Sequence, residues 1–172
     1  LNDSELCKHL YTSEQKIKWW GYGEWVEEPD VLKFKYKNFE CAIVRTCKPD
    51  GPDHIFGGHL CGYVCLPDTH VYFKKNYSDI DIDVHGGLTF SEMAGVGKYW
   101  IGFDCSHSGD YTPSTEKLKK ESNFIDLFPI PKEYLKYSIF NLTYKNIDFC
   151  VQECKSMVDQ LCENDCKVDE HN

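Results

Sequence analysis

Hydrophobic and polar positions alternate in short runs through the earlier part of the chain, and a helical period takes over near its end. Val31 to Tyr36 alternates with lysines and predicts a half-exposed strand. Phe39-Glu-Cys-Ala-Ile-Val-Arg45 predicts a second, more buried strand, with Lys37-Asn38 as the hairpin turn between them. His59 to Leu66 predicts a third strand, Ile80 to Val84 a fourth running into Gly86-Gly87, and Lys98 to Phe103 a fifth. Lys48 to Asp53, Pro67 to Asp79 and Asp104 to Pro113 read as loops from their turn residues. Ile147, Val151, Cys154, Val158, Leu161 and Cys162 recur near helical spacing. They predict a helix over Lys145 to Cys162, with a frayed polar tail after Asn164.

At the other end, Ser4 caps a short predicted helix over Ser4 to Tyr11, with Cys7, Leu10 and Tyr11 on one face. Trp19-Trp20-Gly-Tyr-Gly-Glu-Trp25 reads as a turn-rich aromatic cap, a lid over the core, with a stacking wall for a planar ligand as the alternative. Residues 114–142 read as an insertion, charged first and then aromatic, in which Pro129 and Pro131 prevent a long helix. Asn141 to Tyr144 is either a strand or the lead-in to the last helix. Strands joined by turns and followed by a terminal helix predict a single α+β domain over residues 1–172. Its sheet would be mainly antiparallel, with the C-terminal helix packed on it; no regular β–α alternation supports a doubly wound parallel sheet.

Composition narrows the function. With 172 residues, 41% of them hydrophobic, the chain can bury a core without disulfides or a structural metal. A net charge of −9 argues against a nucleic-acid partner. The local basic run Lys117, Lys119 and Lys120 is bracketed by Glu116 and Glu121 and reads as a solvated loop. No apolar run is long enough to span a membrane. The partners that remain are a small-molecule ligand or a host protein. Ten cysteines and the sequons at Asn2, Asn76 and Asn141 admit a secreted, disulfide-bonded protein. The reduced, cytoplasmic reading is preferred, because the cysteines sit inside apolar runs such as Cys41-Ala-Ile-Val and Gly62-Tyr-Val-Cys65. Cys150, Cys154, Cys162 and Cys166 pair up on a helical face and read as core packing, with a redox pair or a metal site as alternatives.

Candidate chemistry gathers in Gly58 to Val64, Asp81 to Thr89 and Gly102 to Asp110. Each brings His, Asp or Cys to the end of a predicted strand, beside glycines that allow close backbone approach. His59, Cys61 and Tyr63 share one face by strand spacing, as do Asp81, Asp83 and His85. Asp83 with His85, or Asp104 with His107, would orient an imidazole. In this reading His85 and His107 are general acid and base, and Asp83, Asp104 and Asp110 orient them or hold a metal. His59 and Tyr63 contact substrate, and Gly86 and Gly87 offer backbone N–H groups to an anionic oxygen. The plainer account is that Asp and His beside Gly form turns and caps. A divalent metal such as zinc has its own arrangement, His59-x-Cys61 with Cys105-x-His107, although the usual knuckle spacing is absent. No nucleophile elbow, phosphate loop, dinucleotide fingerprint or H-E-x-x-H is present.

These segments resemble those of a group of uncharacterised proteins encoded by tailed bacteriophages and some bacteria. The resemblance runs through Trp20 to Asp30 with its Glu-Pro-Asp ending, Gly58 to Val64, Asp83 to Thr89, Gly102 to Asp110, and Glu153-Cys154. It implies an intracellular setting and brings no activity. The chain departs from the group in Cys7, Cys65, Cys150, Cys162 and Cys166, and in its insertion. The expectation is a hydrolase or transferase acting on a phosphate-bearing or nucleotide-like small molecule. The alternative is a non-catalytic module that sequesters a host metabolite or blocks a host protein.

Overall fold

A computed structural model describes residues 6–47, 57–120 and 142–169. Its elements, in chain order, are β1 (Leu6–Lys8), α1 (Ser13–Trp20), β2 (Val31–Tyr36), β3 (Phe39–Arg45), β4 (Leu60–Leu66), β5 (Phe90–Met93), β6 (Tyr99–Asp104), β7 (Asp110–Tyr111), α2 (Pro113–Lys120), β8 (Thr143–Tyr144) and α3 (Ile147–Asp169). A six-stranded sheet in the order β1-β2-β3-β4-β6-β5 is antiparallel at every pairing. The fold is therefore α+β, with α3 packed on β3 and β4.

The hairpin between β2 and β3 turns on Lys37 and Asn38, whose φ angles of 44° and 68° match the left-handed centre of a type I′ turn. That turn fixes Tyr36 opposite Phe39 and carries the register along both strands. On β4 the strand period sends Leu60, Val64 and Leu66 into the core below α3, while Tyr63 faces the other way. Gly62 is required at that interface, because a Cβ there would lie 2.3 Å from the Phe103 ring and 3.0 Å from Cys154 Sγ. On α3, Cys150, Cys154, Met157, Val158 and Leu161 are fully buried. Each large apolar side chain so buried contributes about 1.5–3 kcal/mol, so the packed stripe, more than helix propensity, holds α3 in place. Asn146 caps it by accepting the Phe149 N–H at 3.0 Å.

Four expectations change. Leu6–Lys8 is an edge strand on β2, and the first described helix is Ser13–Trp20. Thr12 starts that helix through a capping box with Gln15. Ile80, Ile82 and Val84 are buried alternately, as in a strand, but the segment joins neither sheet; β5 forms later, at Phe90–Met93. Thr143–Tyr144 resolves as a strand, parallel to β7, and α3 continues past Cys162 to Asp169. The stretch read as an insertion opens with α2; residues 121–141, and the loop over 48–53, lie outside the described residues.

The aromatic cap is a small second core. Trp20 and Trp25 are 1% and 3% exposed, which leaves neither ring open to stack on a planar ligand. Beneath them lies a buried ionic cluster. Asp30 accepts Lys16 Nζ at 2.9 Å, Arg45 Nε at 3.0 Å, and the N–H groups of Leu10 and Tyr11 at 2.8 and 3.0 Å. Glu28 accepts Arg45 Nη2 at 2.8 Å, the Tyr144 hydroxyl at 2.5 Å and the Ile147 N–H at 3.1 Å. The Glu-Pro-Asp ending noted in the sequence thus ties α1, β3, β8 and the start of α3 together. Among the described residues, no helix is long and apolar enough to cross a membrane.

Candidate functional site

His85, His107 and Asp110, with Asp104 at the edge, converge at one place, where β6 ends and α3 begins. Asp104 closes β6, and residues 107–110 form a tight turn in which Asp110 N–H donates to His107 O at 3.0 Å and Gly109 takes a φ of 96°. The turn carries the Asp110 side chain back toward His107, whose N–H donates to Asp110 Oδ2 at 2.9 Å. His85 Nε2 lies 3.0 and 2.9 Å from the two Asp110 oxygens. A carboxylate only accepts, so Nε2 carries the proton of this bond. The Asp110 side chain is 1% exposed, whereas those of His85 and His107 are 22% and 29% exposed. His107 Nδ1 is 3.6 Å from Asp110 Oδ2 and 3.8 Å from Asp104 Oδ1, and it makes no hydrogen bond.

Both imidazoles are held by backbone and helix. Gly86, at a φ of 69°, admits the His107 ring, since a Cβ there would lie 2.2 Å from its Cε1. The His85 ring meets Phe149 edge-on at 5.2 Å, and the His85 N–H donates to Glu153 at 2.8 Å. Gln160 clasps the same segment further along, accepting the Asp83 N–H at 2.8 Å and donating to its carbonyl at 2.7 Å. Phe149, Glu153 and Gln160 lie on one stripe of α3 beside its buried face. The Asp83 N–H, the Asp83 carbonyl and the His85 N–H therefore find their partners in helix side chains, and the Val84 carbonyl finds its own in Gly87 N–H, so these groups need no strand beside them. Lys145, just before α3, brings Nζ to 3.9 Å from Asp110 Oδ1 and 5.2 Å from the centre of the Phe149 ring.

Of the residues expected at the site, His85, His107 and Asp110 come together, with Asp104 at the edge. Asp83 does not pair with His85: its side chain is exposed, and Asp110 takes the place assigned to it. His59 Nδ1 instead approaches Thr46 Oγ1 at 3.2 Å. Tyr63 lies on the open face of the sheet, with its ring 5.2 Å from that of Phe90. There it borders a groove of about 680 Å³ together with Val44 and Trp100. Gly87 N–H donates to Val84 O at 2.9 Å, so that donor is spent inside its own turn. The zinc arrangement of His59, Cys61, Cys105 and His107 does not form; His85, His107 and Asp110 are the described group whose ligand atoms lie within 4.8 Å of one another. Cys105 Sγ faces Cys150 Sγ at 3.7 Å, and both are free thiols. The Cys150 thiol and burial push the Cys105 thiol far up from its ordinary value, and burial pushes Cys61 up to about 12.

Sequence reading missed Lys145, Phe149, Glu153 and Gln160. The signal was present for three of them, since they border the apolar stripe of a helix already predicted. No family model, curated protein or solved structure matches the chain.

Proposed function

We propose that this protein is a hydrolase or transferase acting on a phosphate-bearing or nucleotide-like small molecule at the His85–His107–Asp110 centre. The observation that carries the reading is a carboxylate buried to 1% exposure against two part-exposed imidazoles. Burying an ionised carboxylate costs several kcal/mol unless its partners compensate. At Asp30 the partners are Lys16, Arg45 and backbone N–H groups, as a structural role requires. At Asp110 the partners include the two side chains best able to accept and return a proton near neutral pH. The centre would activate a water, or a substrate hydroxyl, for attack at phosphorus. Lys145 adds a fixed positive charge beside it, suited to an anionic substrate.

The test is turnover of a panel of phosphate monoesters, phosphodiesters and nucleotides by the wild-type protein and by His85→Ala and His107→Ala. A hydrolysed or transferred product should appear, and each variant should lower its rate by about 10²–10⁴-fold. Turnover that survives in both variants removes the assignment.

The open-face groove favours a second reading, a binding module. Its floor of Val44, Tyr63, Phe90 and Trp100, with Lys33 and Lys35 at the edge, is of a size that takes a small ligand. A binder would saturate at fixed stoichiometry and release its ligand unchanged, with Trp100 fluorescence as the reporter.

A further inference from the structure

We infer that His85, His107 and Asp110 hold a divalent cation of the zinc class, leaving one coordination position for a water or substrate oxygen. The separations support it. Ligand atoms about 2.0–2.1 Å from a tetrahedral zinc lie about 3.3–3.4 Å from one another. Here Asp110 Oδ2 is 2.9 Å from His85 Nε2 and 3.6 Å from His107 Nδ1, and all three ligand atoms fall within 4.8 Å. Small rotations of the two rings close the set. His107 Nδ1 is a buried nitrogen with no hydrogen bond, pointing at the carboxylate. A buried polar atom left without a partner is destabilising, and a metal bond would satisfy it.

Two imidazoles and one carboxylate suit zinc and its neighbours better than magnesium or calcium, which prefer all-oxygen shells. The thiols of Cys61 and Cys154 offer weak competition, because burial favours their protonated form and only the thiolate binds metal strongly. The ligands are also pre-set, His107 by Gly86 and His85 by Phe149 and Glu153. Lys145 Nζ, 3.9 Å from Asp110 Oδ1, is the counter-ion that an incoming cation would have to displace or tolerate. The catalytic meaning of the cation rests on the proposed function, because a bound cation brings the pKa of its water near neutrality and the proton leaves to solvent. The binding itself does not rest on it.

The experiment titrates the full chain with Co²⁺ and then Zn²⁺, after chelator treatment and under a reductant that does not bind metal. It uses calorimetry and the visible spectrum of the cobalt form. We expect one ion per chain and a tetrahedral cobalt spectrum without sulfur-to-metal charge transfer. Affinity should fall at least 10-fold in His107→Ala and in Asp110→Asn, each first shown to be folded by its circular dichroism. Lys145→Ala, which keeps all three ligands, should bind more tightly. No binding, binding unchanged in His107→Ala, or a thiolate spectrum overturns the inference. A bound ion lost in His107→Ala with no turnover in any form keeps the cation and removes the enzyme. Turnover that ignores chelator but is lost in His85→Ala keeps the enzyme and removes the cation.

Discussion

Replacing Asp30 with alanine should cost about 4–5 kcal/mol of folding stability. Asp30 is fully buried and lies against two buried cations, Lys16 at 2.9 Å and Arg45 at 3.0 Å. Removing one partner of a buried ion pair costs about 3–5 kcal/mol, because the other charge stays behind. The lower end applies to the charges here. Arg45 keeps Glu28, the Gly58 carbonyl and the Tyr144 hydroxyl, and Lys16 keeps the carbonyls of Trp25 and Glu28. To this the loss of an acceptor for the Leu10 and Tyr11 N–H groups adds about 1 kcal/mol or more. Urea unfolding followed by tryptophan fluorescence reads the change, since Trp20 and Trp25 sit over the cluster. At an m-value of about 2–3 kcal/mol/M, the midpoint should fall by roughly 1.3–2.5 M. Lys16→Met in the Asp30→Ala background should then restore part of the loss by removing an orphaned charge. A loss under about 1 kcal/mol for Asp30→Ala, or a second substitution that only adds its own damage, would refute the reasoning.

Three further outcomes follow from the same contacts. Gly62→Ala forces a methyl to within 2.3 Å of Phe103; overpacking of about 1–3 kcal/mol should lower Tm by roughly 2–12 °C, and an unchanged melting curve would contradict that packing. Gly86→Ala should cost only about 1–2 kcal/mol through its left-handed backbone yet reproduce the site defect of His107→Ala, because the new methyl occupies the place of the His107 ring; normal cobalt binding and turnover in this variant would show that the ring does not rest there. Iodoacetamide at pH 8, read by peptide mass spectrometry, should label the exposed Cys7 in the native protein and leave Cys41 and Cys61 unmodified, since burial pushes both thiols up to about 12 and only the thiolate reacts. Labelling of Cys61 at the rate of Cys7 would count against its buried place on β4.

The elements that could be read from the sequence are those whose own period decides their burial. The β2–β3 hairpin and α3 each carry a long run of one period, and the structure keeps both. Leu6–Lys8 is too short to carry a period and is a strand only because β2 lies beside it. The α1 start was readable, since Thr12-x-x-Gln15 spells its capping box, but the apolar spacing around Cys7 and Leu10 drew the helix too early. Ile80 to Val84 fails for a deeper reason. Alternating burial reports which side of an extended segment faces the core, and says nothing about what bonds its backbone. In most proteins the answer is a neighbouring strand; here it is local backbone turns at Ile80, Ile82 and Val84 and the side chain of Gln160 at Asp83, with Glu153 taking over at His85.

The same distinction governs the site. His85, His107 and Asp110 could be singled out by residue type, because acid–base side chains beside glycine are informative wherever they occur. Their pairing could not, because Asp83-x-His85 and Asp104-x-x-His107 are the pairs that local spacing proposes, while Asp110 is 25 residues from His85 and reaches it only through the turn at 107–110 and the docking of α3. The helix stripe that anchors residues 83–85 is also the stripe that orients His85, so the placement of the first imidazole follows from how the core closes. The second follows from Gly86, one residue further on, whose missing side chain makes room for His107. The turn at 107–110 holds His107 and Asp110 to each other, while the seating of the 83–86 segment against α3 brings His85 to them and leaves room for the His107 ring, so a change that unseats this segment removes His85 from the centre and frees the ring of His107.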